Sequence, residues 1–87
     1  MVKRVVITGM GTVNPLANNV KDFWERVKAC ENGVTRITRF DPSEHPSQVA
    51  GEVKDFNPGD FFDAKDARRM DRFTVYAVAA AIQAHED

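Results

Sequence analysis

Four cations, Lys65, Arg68, Arg69 and Arg72, fall within the stretch DAKDARRMDRF, Asp63 to Phe73. Their i, i+3, i+4, i+7 spacing is that of one face of an α-helix. Asp63 reads as the N-cap of that helix, and Asp66, three residues on, completes a pattern resembling a capping box. A helix N-terminus carries partial positive charge, so anions there gain about 0.3–1 kcal/mol and cations oppose the interaction. Helix stability alone does not select this arrangement. The plain reading is a solvated face whose charges pair with Asp66, Asp71 or acids elsewhere. A functional reading must come from the rest of the chain.

Other residues with chemical potential are more easily accounted for. GMGTVN after an apolar run suggests a dinucleotide-binding turn, but the third glycine of G-x-G-x-x-G is Asn14 here, and Pro15 follows before any helix. Close packing behind a strand explains Gly9 and Gly11 better. Cys30 falls near the C-terminal end of a helix, where the dipole opposes a thiolate, and neither His45 nor His85 is near it in sequence. Two histidines and one cysteine without close spacing make no metal site. Asp60, Asp63 and Asp66 precede a helix and suit its entry. No catalytic constellation is visible.

The 87 residues are 43% hydrophobic and 29% charged, the balance of a small globular unit rather than a disordered one. A net charge of −1 gives no global reason to expect nucleic acid or a membrane as partner, so an electrostatic partner must be read from a local patch. A single cysteine cannot form an internal disulfide, and the opening residues lack a secretory pattern, so a cytoplasmic setting is the default expectation. No transmembrane run, repeat or low-complexity tract is present.

KRVVITGMGTV, with Val5, Val6 and Ile7 unbroken before Gly9, predicts a strand buried on both faces, as in a parallel sheet. In VKDFWERVKAC, Val20, Phe23, Trp24 and Val27 fall at helical spacing, with Asn18 or Asn19 as cap and Gly33 just beyond the end. TRITRF and VAGEV are short strand candidates on either side of a proline-bounded loop. The last helix continues from the basic stretch through FTVYAVAAAIQA, apolar on nearly every side, and such a helix is normally buried within a larger body. Strand and helix both call for covering layers that these residues do not supply. The expectation is the opening piece of a longer α/β protein.

KRVVITGMGTVNPL, FWERVKACENGV, ITRFDPS, VAGEVKDFNP and DARRMDRFTVYAVAAA together resemble the opening of condensing enzymes of the β-ketoacyl-acyl carrier protein synthase II type, from bacterial fatty acid synthesis. The likeness runs along essentially the whole chain, in order. It implies a thiolase-like (αβαβα) α/β fold of two similar halves. Residues 1–87 would be the N-terminal segment of the first half, incomplete as an independent domain, and residues 3–13 the first strand of its sheet. The resemblance places the family's Cys-His-His set beyond this segment, so Cys30, His45 and His85 are not its catalytic residues and the segment alone is expected to be inactive. The full enzyme would take an acyl group onto a cysteine thiolate and condense it with decarboxylating malonyl carrier, a nucleophilic step followed by stabilisation of developing negative charge. No cofactor is implied for the chain itself, since 4′-phosphopantetheine arrives on the carrier, and a homodimer is implied. One departure stands at Ala17, where the family usually has glycine. If that position needs a positive φ, Ala17 bears strain or passes the turn to Asn18.

The resemblance also bears on the four cations, because basic residues at this helix start dock the acidic acyl carrier protein in the family. Lys65, Arg68 and Arg69 match that motif, and Arg72 joins them by helical spacing alone. Two alternatives remain at the level of sequence: a polyketide ketosynthase or chain-length-factor subunit sharing this opening, and a small non-enzymatic module whose basic helix binds an acidic partner.

Overall fold

The computed structural model describes residues 2–87. Helix α1 spans Val20–Lys28, strands β1 and β2 span Val34–Arg36 and Val49–Gly51, and a 3₁₀ turn covers Pro58–Asp60. Helices α2, Ala64–Arg68, and α3, Arg72–Glu86, complete the chain.

Asn19 starts α1, its side-chain oxygen accepting the Asp22 backbone N–H at 2.8 Å and so satisfying one of the donors a helix start leaves open. The helix ends earlier than Gly33 suggests. Cys30 takes a left-handed conformation (φ 59°) after the C-cap Ala29. Its N–H donates to Val27 O at 3.0 Å and that of Glu31 to Arg26 O at 3.1 Å, the paired bonds of a Schellman motif. Strands β1 and β2 pair antiparallel, with Thr35 opposite Ala50.

The stretch expected to be a buried strand forms none. Val5, Val6 and Ile7 are exposed, Val5 at 91%. A strand requires a neighbour to take its backbone bonds, and among the described residues β1 and β2 pair only with each other. The arm instead lies along α3 through its two glycines. A β-carbon on Gly9 would stand 2.1 Å from the Ala84 carbonyl oxygen, and one on Gly11 the same distance from that of Ala80. Neither glycine has positive φ, so close approach rather than an unusual turn requires them. Met10 N–H donates to Asp87 Oδ2 at 3.1 Å and Thr12 N–H to Gln83 Oε1 at 3.2 Å.

Ala17 resolves without strain, since neither it nor Asn18 has positive φ. Asn14 Oδ1 accepts the N–H groups of Leu16 and Ala17 and thereby builds the turn. Ala17, Val75 and Ala79 are the buried hydrophobic residues of the described chain. The radius of gyration is 16.1 Å, against about 12 Å for a compact domain of this length. Phe73 on α3 is 73% exposed, as the shortage of covering layers predicts.

Candidate functional site

The basic stretch does not form one helix. Helix α2 stops at Arg68 with Arg69 as its C-cap, and Asp71, extended at ψ 156°, starts α3. Aspartate is a favoured N-cap residue, but Asp71, like Asp63, makes no side-chain hydrogen bond to its helix. Breaking here also lets Met70 line a recess of about 420 Å³ with Phe56, Pro58, Ala67, Val75 and Tyr76. The stripe is therefore split: Lys65, Arg68 and Arg69 belong to α2 and its end, while Arg72 is the first residue of α3. The capping box does not form either, because Asp63 occupies the N-cap position without a side-chain hydrogen bond to the helix.

All four cations are exposed. Among the described residues, none has a carboxylate within 4.0 Å; Lys28, Arg36 and Arg39 each do, while Lys3, Arg4, Lys21, Arg26 and Lys54 do not. Arg68 Nε donates back to the Ala64 carbonyl at 3.1 Å. Arg72 Nη1 donates to the Tyr76 hydroxyl at 3.3 Å, one helical turn on. A further cation reaches the same oxygen, since Arg39, in the connection between β1 and β2, donates to it from Nη2 at 3.3 Å.

Arg39 is itself anchored. Its Nη2 also donates to Val53 O at 3.1 Å, and its Nε stands 3.9 Å from Glu52 Oε2. Glu52 is buried, at 8% exposure, and accepts the Thr38 hydroxyl at 2.9 Å, the Thr38 N–H at 3.1 Å and the Arg39 N–H at 3.3 Å. Burial pushes its pKa up, but the Thr38 and Arg39 donors and the Arg39 charge outweigh that and hold it below the usual carboxylate value. The Tyr76 ring stands edge-on to Phe56, centroids 5.3 Å apart. Burial raises the phenol pKa, and the donors and charges of Arg72 and Arg39 bring it below its ordinary value.

The spacing from Arg72 to Tyr76 was available in sequence as an i, i+4 pair. The approach of Arg39, 37 residues away, carried no local signal. Cys30, His45 and His85 lie apart: Cys30 follows α1, His45 meets the Phe40 ring edge-on in the loop before β2, and His85 lies in the last turn of α3. Among the described residues no group of three or more His, Cys, Asp or Glu side chains could hold a metal ion, and no helix is long and apolar enough to cross a membrane. A larger recess of about 540 Å³ runs beside Phe61, Val78 and Ile82, but His85 shares it with Asp60 and Glu86, the wrong sign for an acidic partner.

The fold is that of the first part of a thiolase-like ketosynthase. Residues 2–87 match the family model described as the beta-ketoacyl synthase N-terminal domain, and the chain belongs to that family. It is 52% identical over 85 residues to 3-oxoacyl-[acyl-carrier-protein] synthase 2 of Staphylococcus aureus strain COL, 49% to that of Coxiella burnetii and 47% to that of Synechocystis. Each of these alignments covers 98% of this chain and 20% of the relative, so the chain spans about a fifth of their length. Among solved structures, the ishigamide ketosynthase/chain length factor superposes with a TM-score of 0.77 at 34% identity, covering 93% of this chain and 20% of that one.

Proposed function

We propose that the chain is the N-terminal part of a 3-oxoacyl-[acyl-carrier-protein] synthase, a homodimeric cytoplasmic enzyme of fatty acid synthesis. In this reading Lys65, Arg68, Arg69 and Arg72 receive the acidic acyl carrier protein. The observation that carries the assignment is that four exposed cations gather at the junction of α2 and α3 with no carboxylate within 4.0 Å among the described residues. That speaks against an internally paired face, and the charge-reversal test below separates docking from a merely solvated one. Uncompensated cations at a helix junction raise the local concentration of an acidic partner and set its orientation on arrival. The thioester chemistry falls to residues outside this segment, and the pantetheine arm is delivered by the carrier.

The test is Arg68→Glu with Arg69→Glu in the complete synthase. The rate at limiting carrier should fall about tenfold or more, while turnover of small pantetheine thioesters is spared. Raising salt should narrow the wild-type advantage by screening exposed charges. Equal loss on both substrate classes, or unchanged carrier kinetics, returns the cations to a solvated face. The likeness to the ketosynthase/chain length factor supports one second reading, a polyketide ketosynthase or chain-length-factor subunit, which the residue at the nucleophile position of the complete protein separates from the first.

A further inference from the structure

We propose that Arg39, Tyr76 and Arg72 form an all-donor seat for one carboxylate of the acidic carrier protein, extending the docking face from α2 onto the connection between β1 and β2. The inference rests on the docking reading above and adds to it a locus that the basic stretch does not reveal.

A phenol oxygen has two acceptor lone pairs and one proton. Arg39 and Arg72 each donate to the Tyr76 oxygen at 3.3 Å, which occupies both lone pairs and leaves only the proton to offer. Each guanidinium has five N–H donors in a fixed fork, and Arg72 spends one of them here. The trio itself therefore presents donors and no acceptor to solvent, and Asp55, which lines the recess beside Arg72 and Tyr76, stands more than 4.0 Å from both guanidiniums. Its charge is also incomplete. Two guanidiniums on one oxygen repel each other, and Glu52 lies near Arg39 only, while Arg72 has no carboxylate within 4.0 Å among the described residues. A carboxylate from outside would supply the missing charge and accept from the guanidinium fork and the phenol together.

The seat is held in place from below. Phe56 fixes the Tyr76 ring edge-on at 5.3 Å, and Val53 O and Glu52 tether Arg39. Preorganised donors lose less freedom on binding than long side chains gathered from solution. Both arginines are exposed and Tyr76 is half-buried in this segment, so nothing among the described residues covers the donors.

The variant that tests this is Tyr76→Phe in the complete synthase, which keeps the ring on Phe56 and removes the oxygen that holds the guanidiniums together. The carrier KM should rise about fivefold, with the loss confined to carrier-bound substrates. Affinity for carrier lacking its 4′-phosphopantetheine should fall by the same factor, since the seat takes a protein carboxylate. Weakening seen only with the pantetheine-bearing carrier would assign the seat to phosphate and overturn the proposal. Arg39→Gln, at a residue outside the four docking cations, should give the same loss and serves if Tyr76→Phe does not fold. The double variant should be no weaker than the weaker single one, because both act through one contact. Unchanged carrier affinity in Tyr76→Phe, or in Arg39→Gln where Tyr76→Phe does not fold, or equal loss on small thioesters, overturns the seat. If Arg68→Glu with Arg69→Glu weakens the carrier while Tyr76→Phe is silent, this inference alone fails. Silence of all of them removes the docking reading itself.

Discussion

Gly11 and Ala80 meet backbone to backbone, so that a β-carbon on Gly11 would stand 2.1 Å from the Ala80 carbonyl oxygen and 2.6 Å from Gln83 Cβ. The obstacle is a helix carbonyl, which cannot rotate away as a side-chain tip would. Gly11→Ala must therefore lift the arm from α3 and strain the bond from Thr12 N–H to Gln83 Oε1. Overpacking of this kind costs about 1–3 kcal/mol. A lowered thermal midpoint and faster proteolysis within residues 2–13 of the complete protein are the expected results. An unchanged midpoint would mean that the arm does not lie against α3.

Glu52 should make the hairpin acid-sensitive. Its pKa is held below the ordinary value of 4.5, so its contribution to stability is present above that value and is lost as the pH falls through the lower, folded-state value. Glu52→Gln removes the charge and should lower the thermal midpoint at neutral pH. The gap between wild type and variant should close as the pH falls below 4.5 and through the lower, folded-state value. Asp41 is also held low by the Ser43 hydroxyl and N–H, so the variant retains a residual slope that Asp41→Asn should flatten. A gap independent of pH would remove the carboxylate from the account.

Much of this was legible where the determinant is local. Asn19 caps α1 as its residue type and position suggest, and the two weak strand candidates pair around the proline loop. The glycines serve close approach, here to the backbone of α3. The helix break at Met70–Asp71 was hidden because the i, i+3, i+4, i+7 pattern continues across it, and Asp71 takes the N-cap position without a side-chain hydrogen bond to mark it. Met70, half-buried, lines a recess with Phe56 and Tyr76 at that break, and no periodicity records it. The seat at Tyr76 was invisible for a related reason, since Arg39 arrives from another element. The apolar run at Val5 asked for neighbours, and a run of residues cannot specify a strand without them.

Cys30 supplies the remaining prediction, and its chemistry and its conformation point the same way. It stands at the left-handed position of the α1 terminus with φ 59°, a geometry that costs an L-residue about 1–2 kcal/mol and a glycine little. The two bonds that close the terminus come from the N–H groups of Cys30 and Glu31, which glycine retains. The thiol is exposed, so removing it leaves no cavity. Cys30→Gly should therefore stabilise the complete protein by about 0.5–1 kcal/mol, read as a higher thermal midpoint. Cys30→Val, β-branched and poorly suited to positive φ, should lower it. Condensation should be unchanged in the glycine variant, because the proposed function assigns the reacting thiol to a residue outside this segment. Loss of condensation with folding intact would make Cys30 a participant after all, and a lowered midpoint would mean that the left-handed terminus is not what ends α1.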